Sequence, residues 1–178
     1  MKQITRIFLA LFLLCLILCA CGGKNLPAVT EDTTSTATET EAPVSLPTAA
    51  ALAENVASTC SFSEALSAND SYLSHHLFDF ASLSDRYEDS AAYIPVGITP
   101  EEVLVFIAVD ERGAKALCDK LEDYIDYQRS EYGDYKPSEV LKLDGAVVAR
   151  EGRAVVYVVS TDNDAAADAV NTILANLK

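Results

Sequence analysis

Two runs of apolar residues in the second half of the chain restrict the fold more than any other feature. Residues 103–109 read Val-Leu-Val-Phe-Ile-Ala-Val, and residues 154–159 read Ala-Val-Val-Tyr-Val-Val. Both runs are rich in β-branched and aromatic residues and lack the apolar–polar alternation of a strand with one solvated face. Strands of this kind belong to sheets that are covered on both faces. The sequence therefore predicts a β-sheet with helices, or a partner, on each side.

Turn residues arrange the predicted strands as two hairpins. Gly97 and Pro100 interrupt the chain before the first apolar run, and Glu151-Gly152 fits a two-residue turn before the second. The predicted strands are residues 91–95, 102–109, 146–150 and 154–160. A helical pattern follows each hairpin, so the predicted fold is α+β: a mostly antiparallel four-stranded sheet (β-β-α-β-β-α) with helices packed on it and an N-terminal helical segment. We expect the two C-terminal helices on one face, and the N-terminal helices or a docked partner on the other.

The predicted helices begin at typical N-cap residues. The candidate caps are Thr48, Asn69 or Asp70, Asp110, and Asp162 or Asp164. After Asp110, apolar residues recur at i, i+3, i+4 and i+7 for three turns, and Gln128 lies on the same face. Gly133 is expected to end this central helix, and Pro137 to block its continuation. A short helix or turn is predicted over residues 138–143.

The first twenty residues have the layout of a bacterial export signal. Lys2 and Arg6 precede an apolar run, residues 7–20, that is shorter than the about 20 residues a membrane-spanning helix needs. Leu18-Cys19-Ala20-Cys21 resembles the lipobox, in which the signal is cut before the cysteine and the thiol receives a diacylglyceryl group. The sequence therefore predicts a lipoprotein signal peptide at residues 1–20 and lipidation, of the palmitate type, at Cys21. A spanning anchor and an ordinary secretory signal cut near Ala20 are the alternatives.

Residues 21–47 are predicted to be the lipidated cysteine and a disordered tether. The segment is rich in Thr and Glu, contains Pro43 and Pro47, and holds few large apolar residues. Such a composition cannot bury enough surface to offset the entropy lost on ordering. Residues 48–178 then form one α+β domain. The predicted localisation is the extracytoplasmic face of the cell membrane; glycosylation of the tether is left open.

The chain is strongly acidic. It carries 13 Lys and Arg against 27 Asp and Glu, a formal charge of −14. Removal of Lys2 and Arg6 with the signal makes the mature charge more negative still. Nucleic acid and anionic lipid surfaces should repel such a protein, whereas basic partners should be attracted. We expect no nucleic-acid partner; the simplest interpretation is that the acidic residues keep an exported domain soluble.

The cysteines and histidines do not predict a metal or redox site. Cys60 and Cys118 could pair outside a cell, but both also suit apolar helix faces, and free buried thiols are favoured for a Gram-positive host. His75 and His76 are adjacent and point about 100° apart on a helix, so they cannot converge on one ion. Asp162-Asn163-Asp164 is interpreted as a helix cap, because Ala167 occupies the position where a calcium loop needs Gly. No GxGxxG, P-loop, G-x-S-x-G or HExxH motif is present, and we predict no catalytic residue, no metal ligand and no cofactor.

Tyrosines cluster on the central helix and just after it. Aromatic rings with polar tips are typical of recognition surfaces, although rings at the edge of a core look the same in sequence. The candidate partner-binding residues are Tyr127, Gln128, Tyr132, Tyr135 and Glu139.

Residues from about Ile98 to Leu174 resemble a domain family of unknown function, numbered four-three-five-eight. The features that carry the resemblance are Glu102-Val103-Leu104-Val105-Phe106, the helix with Gln128, Tyr135-Lys136-Pro137 with Glu139, Leu141-Lys142-Leu143 before Ala146-Val147-Val148, and Gly152 before Val155–Ser160 and Asp162. The family is found in lipoproteins of clostridia and related Firmicutes, which implies the same signal and tether. It implies no activity and therefore assigns no catalytic residue.

Three functions are compatible with these observations. The favoured hypothesis is a lipid-anchored, non-catalytic binding or assembly module at the cell surface with an envelope protein as partner. The alternative is a hydrolase acting on envelope glycan or peptide, because acidic residues are abundant. A solute-binding lipoprotein ranks last, since a domain of about 130 residues is small for two lobes around a ligand cleft.

Overall fold

The structure, a computed structural model, describes residues 45–69, 71–75, 80 and 82–178. The predicted signal peptide, Cys21, most of the tether, Asp70 and His76 lie outside the described residues. The described residues belong to a compact unit that spans Glu41–Lys178. None of the helices in the described part is long and apolar enough to cross a membrane.

The described residues form both helices and strands. The helices are α1 (Ala49–Thr59), α2 (Tyr72–His75), α3 (Glu111–Tyr135), α4 (Pro137–Leu143) and α5 (Asn163–Ala175). The strands are β1 (Ser67–Ala68), β2 (Tyr87–Ile94), β3 (Glu102–Ala108), β4 (Val147–Glu151) and β5 (Ala154–Val159).

The strands form one sheet in the order β1-β2-β3-β5-β4, and every neighbouring pair is antiparallel. The α+β class and the antiparallel arrangement are therefore confirmed, but the predicted count of four strands was wrong. The fifth strand is β1, which has only two residues and pairs with the end of β2. Two residues are too few to show a period of 2, so hydrophobic patterning could not find this strand.

The β4–β5 turn falls one residue later than predicted. Glu151 pairs with Ala154, so Gly152 and Arg153 form the turn. Gly152 has φ of 52°, a conformation that residues with a Cβ rarely adopt. Strand β2 also begins earlier than predicted, at Tyr87, because its polar first half pairs with the apolar end of β3.

Alternate residues of β3 contribute to two separate cores. Leu104 and Phe106 pack against α3, in a cluster that includes Leu117 and Leu121. Val103 and Val105 point to the other face and pack against residues of α1 and α5. The prediction that the two C-terminal helices share a face was therefore wrong: α3 covers one face and α5, with α1, covers the other. Of the two alternatives for the second face, an N-terminal helix or a docked partner, the structure confirms the helix, because α1 packs there.

The predicted N-caps of the long helices are confirmed. Asp110 Oδ1 accepts a hydrogen bond from Gly113 N at 2.7 Å, and Asp162 Oδ1 accepts one from Ala165 N at 3.0 Å. Thr48 caps α1 in the same way. The predicted end of the central helix was wrong, because α3 continues through Gly133 to Tyr135. A glycine inside a helix destabilises it by only about 1 kcal/mol relative to alanine, so glycine does not by itself end a helix.

Both cysteines of the described residues are free and half-buried. Cys118 packs against the α3 core, whereas Cys60 packs against the core on the opposite face. The sheet therefore separates the two thiols, and burial raises the pKa of each.

Candidate functional site

One tyrosine of the predicted cluster, Tyr132, lines a pocket at one end of the sheet. The pocket has a volume of about 260 Å³ and lies between the end of β2, the β2–β3 loop, the start of β3 and the C-terminal half of α3. Its lining residues are Tyr72, Ile94, Pro95, Gly97, Ile98, Thr99, Glu101, Glu102, Gln128 and Tyr132. Of the five candidate residues, the structure therefore brings Gln128 and Tyr132 into the pocket.

The other three candidates lie outside the pocket lining. Tyr127 and Tyr135 are 59% and 57% exposed, and the Tyr135 ring lies 5.3 Å from the ring of Tyr132. Glu139 Oε2 accepts a hydrogen bond from Thr99 Oγ1 at 3.0 Å, which ties α4 to the β2–β3 loop. Tyr135 and Glu139 thus lie beside the pocket. Tyr127 stacks on Tyr124, nearer the start of α3.

Gln128 is held in a buried hydrogen-bond network. Its Nε2 donates to Glu102 Oε1 and to Tyr124 OH, both at 3.0 Å. Its Oε1 accepts from Tyr157 OH at 2.8 Å. An amide has two donors and one oxygen, so Gln128 uses each of its polar atoms inside the protein. Its contribution is to position its neighbours rather than to offer an exposed contact.

Glu102 is the most unusual group in this network. The side chain is buried, lines the pocket and has Tyr124, Tyr72 and Gln128 as its hydrogen-bonding neighbours. Burial disfavours the charged form and raises the pKa of Glu102 to about 7, against the opposing effect of those three hydrogen bonds. Burial and the nearby carboxyl raise the pKa of Tyr72 and of Tyr124, so both phenols stay protonated near neutral pH and can donate.

The neighbouring carboxyl, Glu101, has a different environment. Its Oε1 lies 2.6 Å from Lys142 Nζ, and its Oε2 accepts from Ser63 N at 2.6 Å. Lys142 Nζ also lies 2.7 Å from Glu139 Oε2. Burial opposes the charge on Lys142, but the hydrogen bonds to the two carboxylates raise its pKa overall, and the hydrogen bond from Lys142 lowers the pKa of Glu139. Glu101 is thus a paired buried charge.

Exposed apolar residues border the mouth of the pocket. We call Val96, Ile98 and Tyr135 the pocket rim. Val96, Ile98 and Tyr135 are 92%, 65% and 57% exposed. Lys136 Nζ donates to Ile98 O at 2.6 Å and so fixes the β2–β3 loop to the α3–α4 junction. The hydrogen bond from Lys136 therefore holds the backbone of the rim residue Ile98 in place.

A larger hollow of about 690 Å³ lies at the opposite end of the sheet. It includes Leu46 and Pro47, the last two residues of the predicted tether, and Ile107 near the end of β3; Leu46 packs against the core. Its charged groups are engaged: Asp89 Oδ2 accepts from Ala49 N at 2.7 Å, and Arg153 Nη1 pairs with Glu88 at 2.7 Å. No cluster of residues suited to a metal ion occurs in the described part of the chain.

The fold defines an α+β domain with a five-stranded antiparallel sheet that is covered on both faces. The family model of a domain of unknown function (DUF4358) matches residues 77–160, which confirms the resemblance seen in the sequence. The matched residues include the strands β2 to β5 and the helices α3 and α4, and they include every pocket-lining residue except Tyr72. No curated protein and no solved structure matches the chain significantly.

Sequence reasoning missed the carboxyl at the base of the pocket. Glu102 was assigned only to the start of a strand, and Tyr72 and Tyr157 were assigned only to a helix and a strand. One signal was present: Glu102 stands directly before seven apolar strand residues, so its side chain is expected to be buried with theirs. Its partners on α3 are more than twenty residues away, so spacing alone could not show them.

Proposed function

We propose that the protein is a non-catalytic binding module that a lipid on Cys21 holds on the extracytoplasmic face of the cell membrane. In this proposal the pocket and its rim bind a basic segment of an envelope protein. The proposed anchor follows from the signal-like N-terminus, and the proposed surface follows from the fold. Both sheet faces are occupied by the chain's own helices, so a partner would have to bind elsewhere, and the pocket rim is an exposed apolar surface available to it.

One observation carries the proposed orientation. Residues 45–48 approach the domain beside Ile107, at the end of β3, whereas the pocket includes Glu102, at the start of β3. The seven residues of β3 separate these ends by about 20 Å at a rise of about 3.4 Å per residue. A tether at one end of the strand would leave the pocket facing away from the lipid surface, where a protein partner has access.

The charge of the chain supports a basic partner. The formal charge is −14 before any processing. The lysines nearest the rim, Lys136 and Lys142, are both paired with Glu139. A basic segment attracted by the acidic domain would therefore not be repelled at the pocket mouth by an unpaired charge on Lys136 or Lys142.

Site-specific photo-crosslinking tests this proposal. A photoreactive amino acid at Tyr135 or Val96 of the full chain, expressed in a bacterial host that makes the protein, should join it to the same envelope protein. The matched control is the same residue at Asn171, which is exposed on α5. Identification of one shared product from both rim positions, absent from the control, would support the proposal. Equal products from Asn171, or none from either rim position, would contradict it.

A hydrolase is the second candidate, and the buried carboxyl favours it. The pKa of Glu102, raised by burial to about 7, is suited to a general acid. Glycoside hydrolysis, however, needs a second carboxylate across the pocket, and Glu101 is held by Lys142 and Ser63. Turnover of cell-wall glycan or peptide by the full chain, abolished in Glu102→Gln, would favour this candidate over binding.

A further inference from the structure

We infer that the pocket receives an alkylammonium group, as a lysine side chain presents it, with the Glu102 carboxylate as its counter-ion. This inference rests on the proposed function and specifies the chemistry that the site recognises.

The first argument is the contrast between two adjacent buried carboxyls. Glu101 is paired with Lys142, as buried charges usually are. The groups that act on Glu102 are instead three neutral hydrogen-bond donors, and no cation within the described residues forms an ion pair with it. A carboxylate can accept about four hydrogen bonds. Glu102 therefore retains acceptor capacity and lacks a positive charge, and it lines a pocket that opens to solvent.

The second argument is the size and lining of the pocket. At about 260 Å³ it is smaller than the roughly 300–1,000 Å³ of most small-molecule sites, so one side chain fits better than a whole metabolite. Ile94, Pro95 and Ile98 supply apolar surface for a hydrocarbon stem. Tyr72 and Tyr132 supply aromatic rings, which attract cations through their faces. An ammonium on an unbranched stem matches both parts of this lining.

The third argument explains why the chain's own lysines do not occupy the site. Lys142 Nζ is held between Glu101 and Glu139, at 2.6 and 2.7 Å. Lys136 Nζ is held by Ile98 O at 2.6 Å and by Glu139. Moving Lys142 to Glu102 would leave the buried Glu101 without its cation, and moving Lys136 would break its bonds to Ile98 O and Glu139. The site is therefore left for a group from outside.

Binding should be linked to the titration of Glu102. The titratable groups that face it are Tyr72 from α2, Tyr124 and Tyr132 from α3, and Tyr157 from β5, and the pKa of each is raised above its ordinary value. The tyrosines therefore stay neutral between pH 6 and 8, while the Glu102 carboxyl, with a pKa of about 7, loses its proton. An ammonium ligand that needs the carboxylate should bind about tenfold more tightly at pH 8 than at pH 6.

NMR titration of the full chain in detergent, with labelled tyrosines, tests the inference. The chain has eight tyrosines, so their spectrum can be assigned by single Tyr→Phe changes. The probes are N-acetyl-lysine methylamide, its norleucine counterpart without the ammonium group, and n-butylammonium. We expect the lysine probe to shift Tyr72 and Tyr132 and to bind at least tenfold more tightly than the norleucine probe. Tighter binding of the lysine probe than of n-butylammonium indicates a peptide ligand, whereas equal binding indicates a free amine.

Two variants complete the experiment. Glu102→Gln should abolish the preference for the lysine probe, while Glu131→Gln, at an exposed position of the same helix as Gln128, should retain it. If Glu102→Gln does not fold, the comparison of the unmodified chain at pH 6 and pH 8 decides instead. Equal binding of the lysine and norleucine probes, no binding of either, or affinity that does not rise with pH would overturn the inference. Continued crosslinking from Val96 in that case would leave the binding-module proposal standing.

Discussion

Replacement of Glu102 by glutamine removes the ionisable group at the base of the pocket while it keeps the shape of the side chain. The amide oxygen can still accept from Gln128 Nε2, and the amide nitrogen can donate to a tyrosine hydroxyl. The substitution therefore isolates the cost of placing a charge in this buried network.

The size of the effect follows from the pKa. Burial raises the pKa of Glu102 from 4.5 to about 7, and one unit corresponds to about 1.4 kcal/mol. Between these values the folded state binds the proton more tightly than the unfolded state does. Glu102 therefore makes the protein progressively less stable as the pH rises from about 4.5 to about 7, by about 3 kcal/mol in total, and has no further effect above that range.

Urea unfolding of the full chain in detergent measures this effect. The chain has no tryptophan, so tyrosine fluorescence reports unfolding. At pH 8 the Glu102→Gln variant should be more stable than the unmodified chain by up to about 3 kcal/mol, and this advantage should fall to about 1 kcal/mol or less at pH 5. Glu131→Gln is the control for loss of one exposed carboxylate and should show no such dependence. A difference between Glu102→Gln and the unmodified chain that stays constant from pH 5 to pH 8 would refute the reasoning.

Three further predictions concern the core and the cysteines. Tyr157→Phe removes one buried hydrogen bond of the network and should lower the free energy of unfolding in urea by about 1–2 kcal/mol; no change would show that the network contributes nothing to stability. Leu104→Ala should cost about 2–5 kcal/mol by leaving a cavity, whereas Val96→Ala, 92% exposed, should change stability by less than about 0.5 kcal/mol; similar costs at the two positions would contradict the described packing. Cys60 and Cys118 should both be alkylated after unfolding without reductant, and mass spectrometry that finds them joined would contradict their separation by the sheet.

The strands and helix starts could be predicted because their signals are local. The apolar run of β3 and the caps at Asp110 and Asp162 each depend on fewer than ten neighbouring residues. The face that each helix covers is not a local property. Both α3 and α5 are amphipathic, and the sequence pattern says which stripe of each is buried but not which side of the sheet receives it.

The candidate site was predicted only in part, for a similar reason. A tyrosine-rich helix marks a surface, and Gln128 was noticed because it is polar on an apolar face. The carboxyl that Gln128 contacts is 26 residues away, and Tyr157 is 29 residues away. Their meeting depends on the antiparallel pairing of β3 with β5 and on the packing of α3 over both strands. Such contacts follow from the tertiary fold and leave no spacing pattern.

Metabolic labelling with radioactive palmitate tests the central proposal, that the domain acts from a lipid anchor at Cys21, most directly. The full chain, expressed in a bacterium with lipoprotein-processing enzymes, should incorporate the label and sediment with membranes. Cys21→Ser should lose the label and leave the membrane fraction, whereas Cys19→Ser, two residues earlier, should keep both. Absence of label from the unmodified chain, together with unchanged membrane association in Cys21→Ser, would contradict the proposed anchor and the orientation of the pocket that depends on it.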